Sequence, residues 1–158
     1  VESPAGESPE ESSAEPSAES SAESNDESSA PAVLTDVVSV EASGGQGAYS
    51  FSVGLLGAET GCDLYADWWE VVTMEGELSY RRILTHSHPD EQPFTRSGEP
   101  VPVEADEQLI VRGHMSPGGY GGVAFGGSVS GGFVEVEVEP GFGADLEGVE
   151  PQPEGCAY

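Results

Sequence analysis

Lysine is absent from all 158 residues, and arginine occurs four times, as Arg81, Arg82, Arg96 and Arg112. Against them stand 30 aspartates and glutamates, for a formal net charge of −26. A surface of that sign repels phosphates and anionic lipid headgroups, which excludes nucleic acid and the membrane surface as partners. It suits a saline environment, cation binding or simply solubility. No run of eighteen apolar residues occurs, so no segment reads as a membrane-spanning helix. Cysteine is scarce: Cys62 and Cys156 are the only two, and without a CxxC they cannot build a zinc knuckle. The glycine-rich stretch at residues 118 to 122 lacks GxGxxG spacing, a following helix and a basic partner, so it is no phosphate cradle. No GxSxG occurs either, which removes that form of Ser-His-Asp catalysis.

What the chain does have is a sharp change of character near Pro31. Its first thirty residues hold nine acidic side chains and ten serines, with no basic and no aromatic residue. Such a segment cannot bury enough apolar surface to offset the entropy of ordering it. Residues 1 to 31 are therefore expected to be a disordered acidic tether, removable without unfolding the rest. Residues 32 to 158 then form one domain, still carrying 21 carboxylates against four arginines. The chain opens on Val and shows no signal peptide, so an upstream segment is expected to have been removed or left out. Cys62 and Cys156 are expected to form a disulfide stapling the tail to the domain in an oxidising compartment; the alternative is two unrelated buried thiols.

The domain reads as strands. Tyr49, Phe51, Val53 and Leu55 alternate with small residues at the period of a half-buried strand. A β-branched run covers residues 33 to 41, and further strands fit residues 108 to 114, 123 to 125 and 133 to 139, with Val101-Pro102-Val103 as a short edge piece. Residues 64 to 74 and 77 to 85 flank Glu75-Gly76, a two-residue hairpin turn by its chemistry. That register sets Glu70 opposite Arg81, Trp69 opposite Arg82 and Val71 opposite Tyr80, with Trp69, Val71, Leu78, Tyr80 and Leu84 on the core side. No ten-residue stretch has helical apolar spacing. The expected fold is all-β: a single antiparallel β-sandwich, Ig-like or jelly-roll-like, behind a disordered leader.

Chemistry could begin at His86-Ser87-His88, whose imidazoles would lie about 7 Å apart on one side of an extended strand. With His114 from another strand, and Glu91 nearby, they make a candidate copper or zinc site; the alternative is ordinary polar residues in a turn. Glu135, Glu137 and Glu139 could bridge calcium or simply face solvent. Adjacent Trp68 and Trp69 point to opposite faces, which makes Trp68 the candidate exposed binding aromatic.

Two resemblances add to this. The Ser/Glu/Pro/Ala-rich leader before a β-rich domain with a cysteine pair resembles the mature part of a secreted bacterial lipoprotein. That resemblance implies a lipid anchor upstream of residue 1 and an extracellular or cell-envelope location, tethered at a bacterial surface. His86, His88, Glu91 and Gly98 resemble the first cupin motif, although Tyr80 stands where its leading glycine belongs and the gap from His88 to Glu91 is one residue short. It implies a cupin-like metal-dependent enzyme. The principal reading is a non-enzymatic binding or structural module for an unidentified surface ligand or protein, with no cofactor. A copper- or zinc-binding envelope protein using His86, His88 and His114 is the alternative, and the cupin-like enzyme a second one.

Overall fold

The computed structural model describes residues 34 to 156; the acidic leader, and with it the expected tether, lies outside them. Eight strands follow one another: β1 Asp36–Gly45, β2 Ala48–Leu56, β3 Tyr65–Thr73, β4 Leu78–Ile83, β5 Phe94–Ser97, β6 Leu109–Ser116, β7 Ala124–Ser128 and β8 Gly132–Val136. They form two antiparallel sheets, ordered β1-β2-β5 and β4-β3-β6-β7-β8. The helical content among the described residues is slight, and the C-terminal part carries one 3-10 turn, Ala144–Gly148. The expected β-sandwich is what forms.

Alternation decides which side chains meet. In β2 the odd-numbered Tyr49, Phe51, Val53 and Leu55 are buried, and they face Trp69, Val71, Leu109 and Val111 of the larger sheet in one core cluster. Full burial of aliphatic or aromatic side chains of this size contributes about 1.5–3 kcal/mol each. Strand β5 was not legible: Phe94-Thr95-Arg96-Ser97 is short and polar, yet it completes the small sheet and buries Phe94. Val101 and Val103 are buried beside it, with Val101 bridged to Tyr49.

The β3–β4 hairpin keeps the expected pairs Trp69–Arg82, Glu70–Arg81 and Val71–Tyr80. Its turn is a residue longer than expected. Met74, Glu75 and Gly76 form the loop, with Gly76 at φ 88 and its amide donating to the Thr73 carbonyl. That is a three-residue loop closed by a glycine at positive φ, an arrangement that goes with a bulge beside it. The register slips between Val71 and Val72, so Leu78 pairs with Val72 rather than Thr73. One residue of slip moves a side chain to the other face. Leu78 accordingly packs with Val72 and Ile110 in a second cluster, not in the core.

That second cluster exists because the outer face of the large sheet is covered as well. Every residue of β3 from Tyr65 to Val72 is buried. The cover is the C-terminal segment, which lays Phe142 and Leu146 over Val72, Ile110 and Ala124. Cys156 closes the segment onto Cys62 through a disulfide with Cα atoms 5.5 Å apart, the bridge the sequence led us to expect.

Candidate functional site

The strongest chemistry lies under that C-terminal strap. Glu70, in the middle of β3, is completely buried and each of its carboxylate oxygens accepts from a guanidinium, Arg81 Nε at 2.8 Å and Arg112 Nε at 2.7 Å. The sequence suggested only a cross-strand pair with Arg81. Arg81 donates further to the carbonyls of Leu146 (2.6 Å), Val149 (2.5 Å) and Pro151 (2.8 Å). Arg112 donates to those of Phe142 (2.7 Å) and Gly143 (2.8 Å). Two arginines thus satisfy five main-chain acceptors of a segment that has no sheet to join, which is what buried carbonyls require.

Beside this node stands His114. Its Nδ1 lies 2.6 Å from Asp67 Oδ1 and its Nε2 lies 2.6 Å from Glu147 Oε2, the latter on the strap. Asp67 reaches it because it is the extra residue of a bulge in β3 between Ala66 and Trp68. The His114 ring stacks on Trp68 at 3.9 Å, and Arg81 Cζ sits 4.0 Å from the same indole. Three carboxylates (Glu70, Asp67, Glu147) therefore face two guanidiniums and one imidazole, and the set is neutral when His114 is protonated. Burial alone would lower the proton affinity of His114, but the hydrogen bonds and charges of Asp67 and Glu147 outweigh it and raise the pKa. Tyr120, half-buried under Arg112 Cζ at 3.6 Å, is held well above its ordinary range, first by burial and then by the Glu70 charge.

The residues singled out as metal ligands are placed differently. His86 and His88 lie beyond the end of β4 in a loop, not on an extended strand. His86 is exposed, with Thr85 Oγ1 at 3.3 Å from its Nδ1. His88 stacks on Phe94 at 3.9 Å, and its backbone N–H donates to buried Glu59 Oε1 at 2.7 Å. Glu91 pairs at the surface with Arg96, at 3.3 Å. His114 has both ring nitrogens engaged by carboxylates on opposite sides of the ring. Among the described residues no group of three His, Cys, Asp or Glu could hold a metal ion, so His86, His88, Glu91 and His114 do not converge into one. Trp68 requires correction: it is 1% exposed, packed against the His114 and Tyr120 rings and under the Arg81 guanidinium. Gly98 has a packing reason, because a Cβ there would fall 2.5 Å from the Tyr80 hydroxyl.

A groove of about 590 Å³ opens at the edge of the same sheet, between residues 120 to 124 and 135 to 142. Its lining includes Tyr120, Val136, Val138 and Phe142, together with the exposed carboxylates Glu135, Glu137 and Glu139.

The chain is similar to a protein of Halomicrobium mukohataei named "Putative lipoprotein". The two are 44% identical over 87 residues, which is 55% of this chain and 42% of the relative. The chain thus matches less than half the length of that relative. No family model matches the sequence, and no solved structure matches the fold. The expected cupin relationship finds no support in these comparisons.

Sequence reasoning missed the partnership of Asp67, Glu70, Arg112, Tyr120 and Glu147. A signal was present: Arg112 and His114 interrupt the apolar run Leu109-Ile110-Val111, and a charge inside such a run needs a buried partner. The His114 arrangement predicts a pH dependence. Because its folded-state pKa is raised, His114 contributes stability that is fully present below its ordinary value of 6.5 and is lost as pH rises through the raised value. His88 works in the opposite sense: burial first, then Arg96, lowers its pKa, so its contribution is lost as pH falls through 6.5. Urea midpoints between pH 5.5 and 9 should show the native chain weakening on the alkaline side, at up to about 1.4 kcal/mol per pH unit. His114→Gln should lose that alkaline limb and keep the acid-side decline.

Proposed function

We propose that this chain is a non-enzymatic binding module held at the outside of the cell envelope by a lipid anchor. The observation that carries the reading is the similarity, over 87 residues, to a protein named as a lipoprotein. Three features of the chain support it. The Cys62–Cys156 bridge suits an oxidising compartment. Among the described residues no helix is long and apolar enough to cross a membrane, so attachment through a lipid fits better than a helical span. The charged cluster under the strap has its groups engaged with one another and with the main chain: both nitrogens of His114 and the donors of Arg81 and Arg112 already have partners within the fold. Such a cluster acts as structural wiring, and the surface is left for recognition.

Fractionation of cells making the full-length protein tests this. The protein should sediment with membranes, resist extraction by high salt, dissolve in detergent, and be cleaved by protease added to intact cells. Recovery in the soluble cytosolic fraction, shielded from protease, would overturn the proposal.

A further inference from the structure

The groove at the sheet edge has a shape and a charge that together specify an occupant. Strands β7 and β8 pair as far as Ala124 and Val136 and then part. Residues 121 to 123 turn away toward β1, where the Val37 N–H donates to the Val123 carbonyl at 2.9 Å and the Val123 N–H to Asp36 Oδ1 at 2.7 Å. The chain beyond Val136 runs on alone, and the groove lies in the resulting fork. Val136, Val138 and Phe142 supply apolar lining, and Glu135, Glu137 and Glu139 supply carboxylates at every second position. Strand β8 is also the last strand of its sheet, so among the described residues no strand pairs with its outer main-chain groups.

The carboxylates pair with no cation among the described residues. Among the described residues none of the three has a hydrogen-bond or ion-pair partner. The arginines are engaged elsewhere: Arg81 and Arg112 on Glu70, Arg96 on Glu91, Arg82 on the carbonyls of Ile83 and Ser97. Lysine, again, is absent. Arg112 also lines the groove, but its guanidinium is taken up by Glu70 and the carbonyls of Phe142 and Gly143, so a cation for the three exposed carboxylates has to come from another molecule. Glutamates two residues apart in an extended chain repeat at about 6.6–6.8 Å, which is the repeat of alternate side chains in a second extended chain laid alongside.

We propose that the groove and the β8 edge bind an extended basic segment of another protein, with lysine or arginine at alternate positions and apolar residues between them. The basic side chains meet Glu135, Glu137 and Glu139, the apolar ones enter the groove toward Val138 and Phe142, and the main chain adds to the open edge of β8. This names the partner class of the binding module proposed above and rests on that reading. A failed localisation experiment would remove the envelope and leave peptide binding to be measured on its own.

Isothermal titration calorimetry with an acetylated peptide of alternating lysine and valine tests the inference. The comparison peptide has the same composition with lysines and valines in separate blocks. The alternating peptide should bind at least about tenfold more tightly, because only it places charge and apolar groups in register. The triple variant Glu135→Gln, Glu137→Gln, Glu139→Gln should weaken its binding by about tenfold or more. A charge-matched triple on other surfaces, Glu41→Gln, Glu99→Gln, Asp106→Asn, should change it less than about twofold. Equal affinity for the two peptides, or equal losses in the two triples, would show general attraction to an acidic surface and overturn the proposal. So would binding of calcium or spermidine at Glu135, Glu137 and Glu139 with no measurable binding of the alternating peptide.

Discussion

Serine in place of Cys62 or Cys156 is expected to lower the unfolding free energy by about 4–5 kcal/mol. The bridge joins residues 94 apart, and in the chain-entropy picture freeing a loop of that length returns about this much entropy to the unfolded chain. With a urea slope of about 1–3 kcal/mol/M, the midpoint should fall by about 1.3–5 M. Cys62→Ser, Cys156→Ser and the double variant should behave alike, and so should the native chain under reductant. An unchanged midpoint in all four would mean that the strap is held by Arg81 and Arg112 without help from its terminal staple.

Removal of the Glu70 carboxylate should be as severe. Glu70→Ala leaves two buried guanidiniums without their shared counter-charge, and breaking a buried pair in this way costs about 3–5 kcal/mol. The usual remedy for such a loss is to replace the whole ionic group by apolar residues of similar volume, which often restores stability. Here that remedy should fail. Glu70→Leu combined with Arg81→Met and Arg112→Met would strip donors from the carbonyls of Phe142, Gly143, Leu146, Val149 and Pro151. A buried acceptor left unmade costs about 1–3 kcal/mol, which applies in full to the Leu146 carbonyl and in part to the four half-buried ones. The triple variant should therefore melt no higher than Glu70→Ala, as followed by circular dichroism; a native-like melting temperature would show that the arginines balance Glu70 and nothing more.

The legible part of the fold was the part governed by local pattern. Period-two alternation found β2, and complementary charge across a short turn fixed most of the β3–β4 register. The error at Leu78 came from one extra loop residue, which pattern matching around a Gly at positive φ does not resolve. The site was harder because its members are far apart in sequence. Asp67 and Glu147 lie 47 and 33 residues from His114. The strap itself, rich in glycine, proline and acid, reads as loop, so nothing marked it as the cover over the outer face of the large sheet. Alternation places a side chain on a face but does not say whether that face is wet. The histidines show the same limit: His114 is held between Asp67 and Glu147, whereas His86 and His88 lie in the loop after β4, and residue type alone does not say which of them share a place.

The wiring of the strap also sets the order in which the molecule can be assembled. Strands β3, β4 and β6 are all made before residue 142, yet the buried charges they carry have no main-chain acceptors until residues 142 to 151 follow. The centre of the large sheet is thus complete only when residues 142 to 151 have joined it. The large sheet of such a chain does not settle strand by strand from its N-terminal side; its centre closes once the segment at residues 142 to 151 is in place.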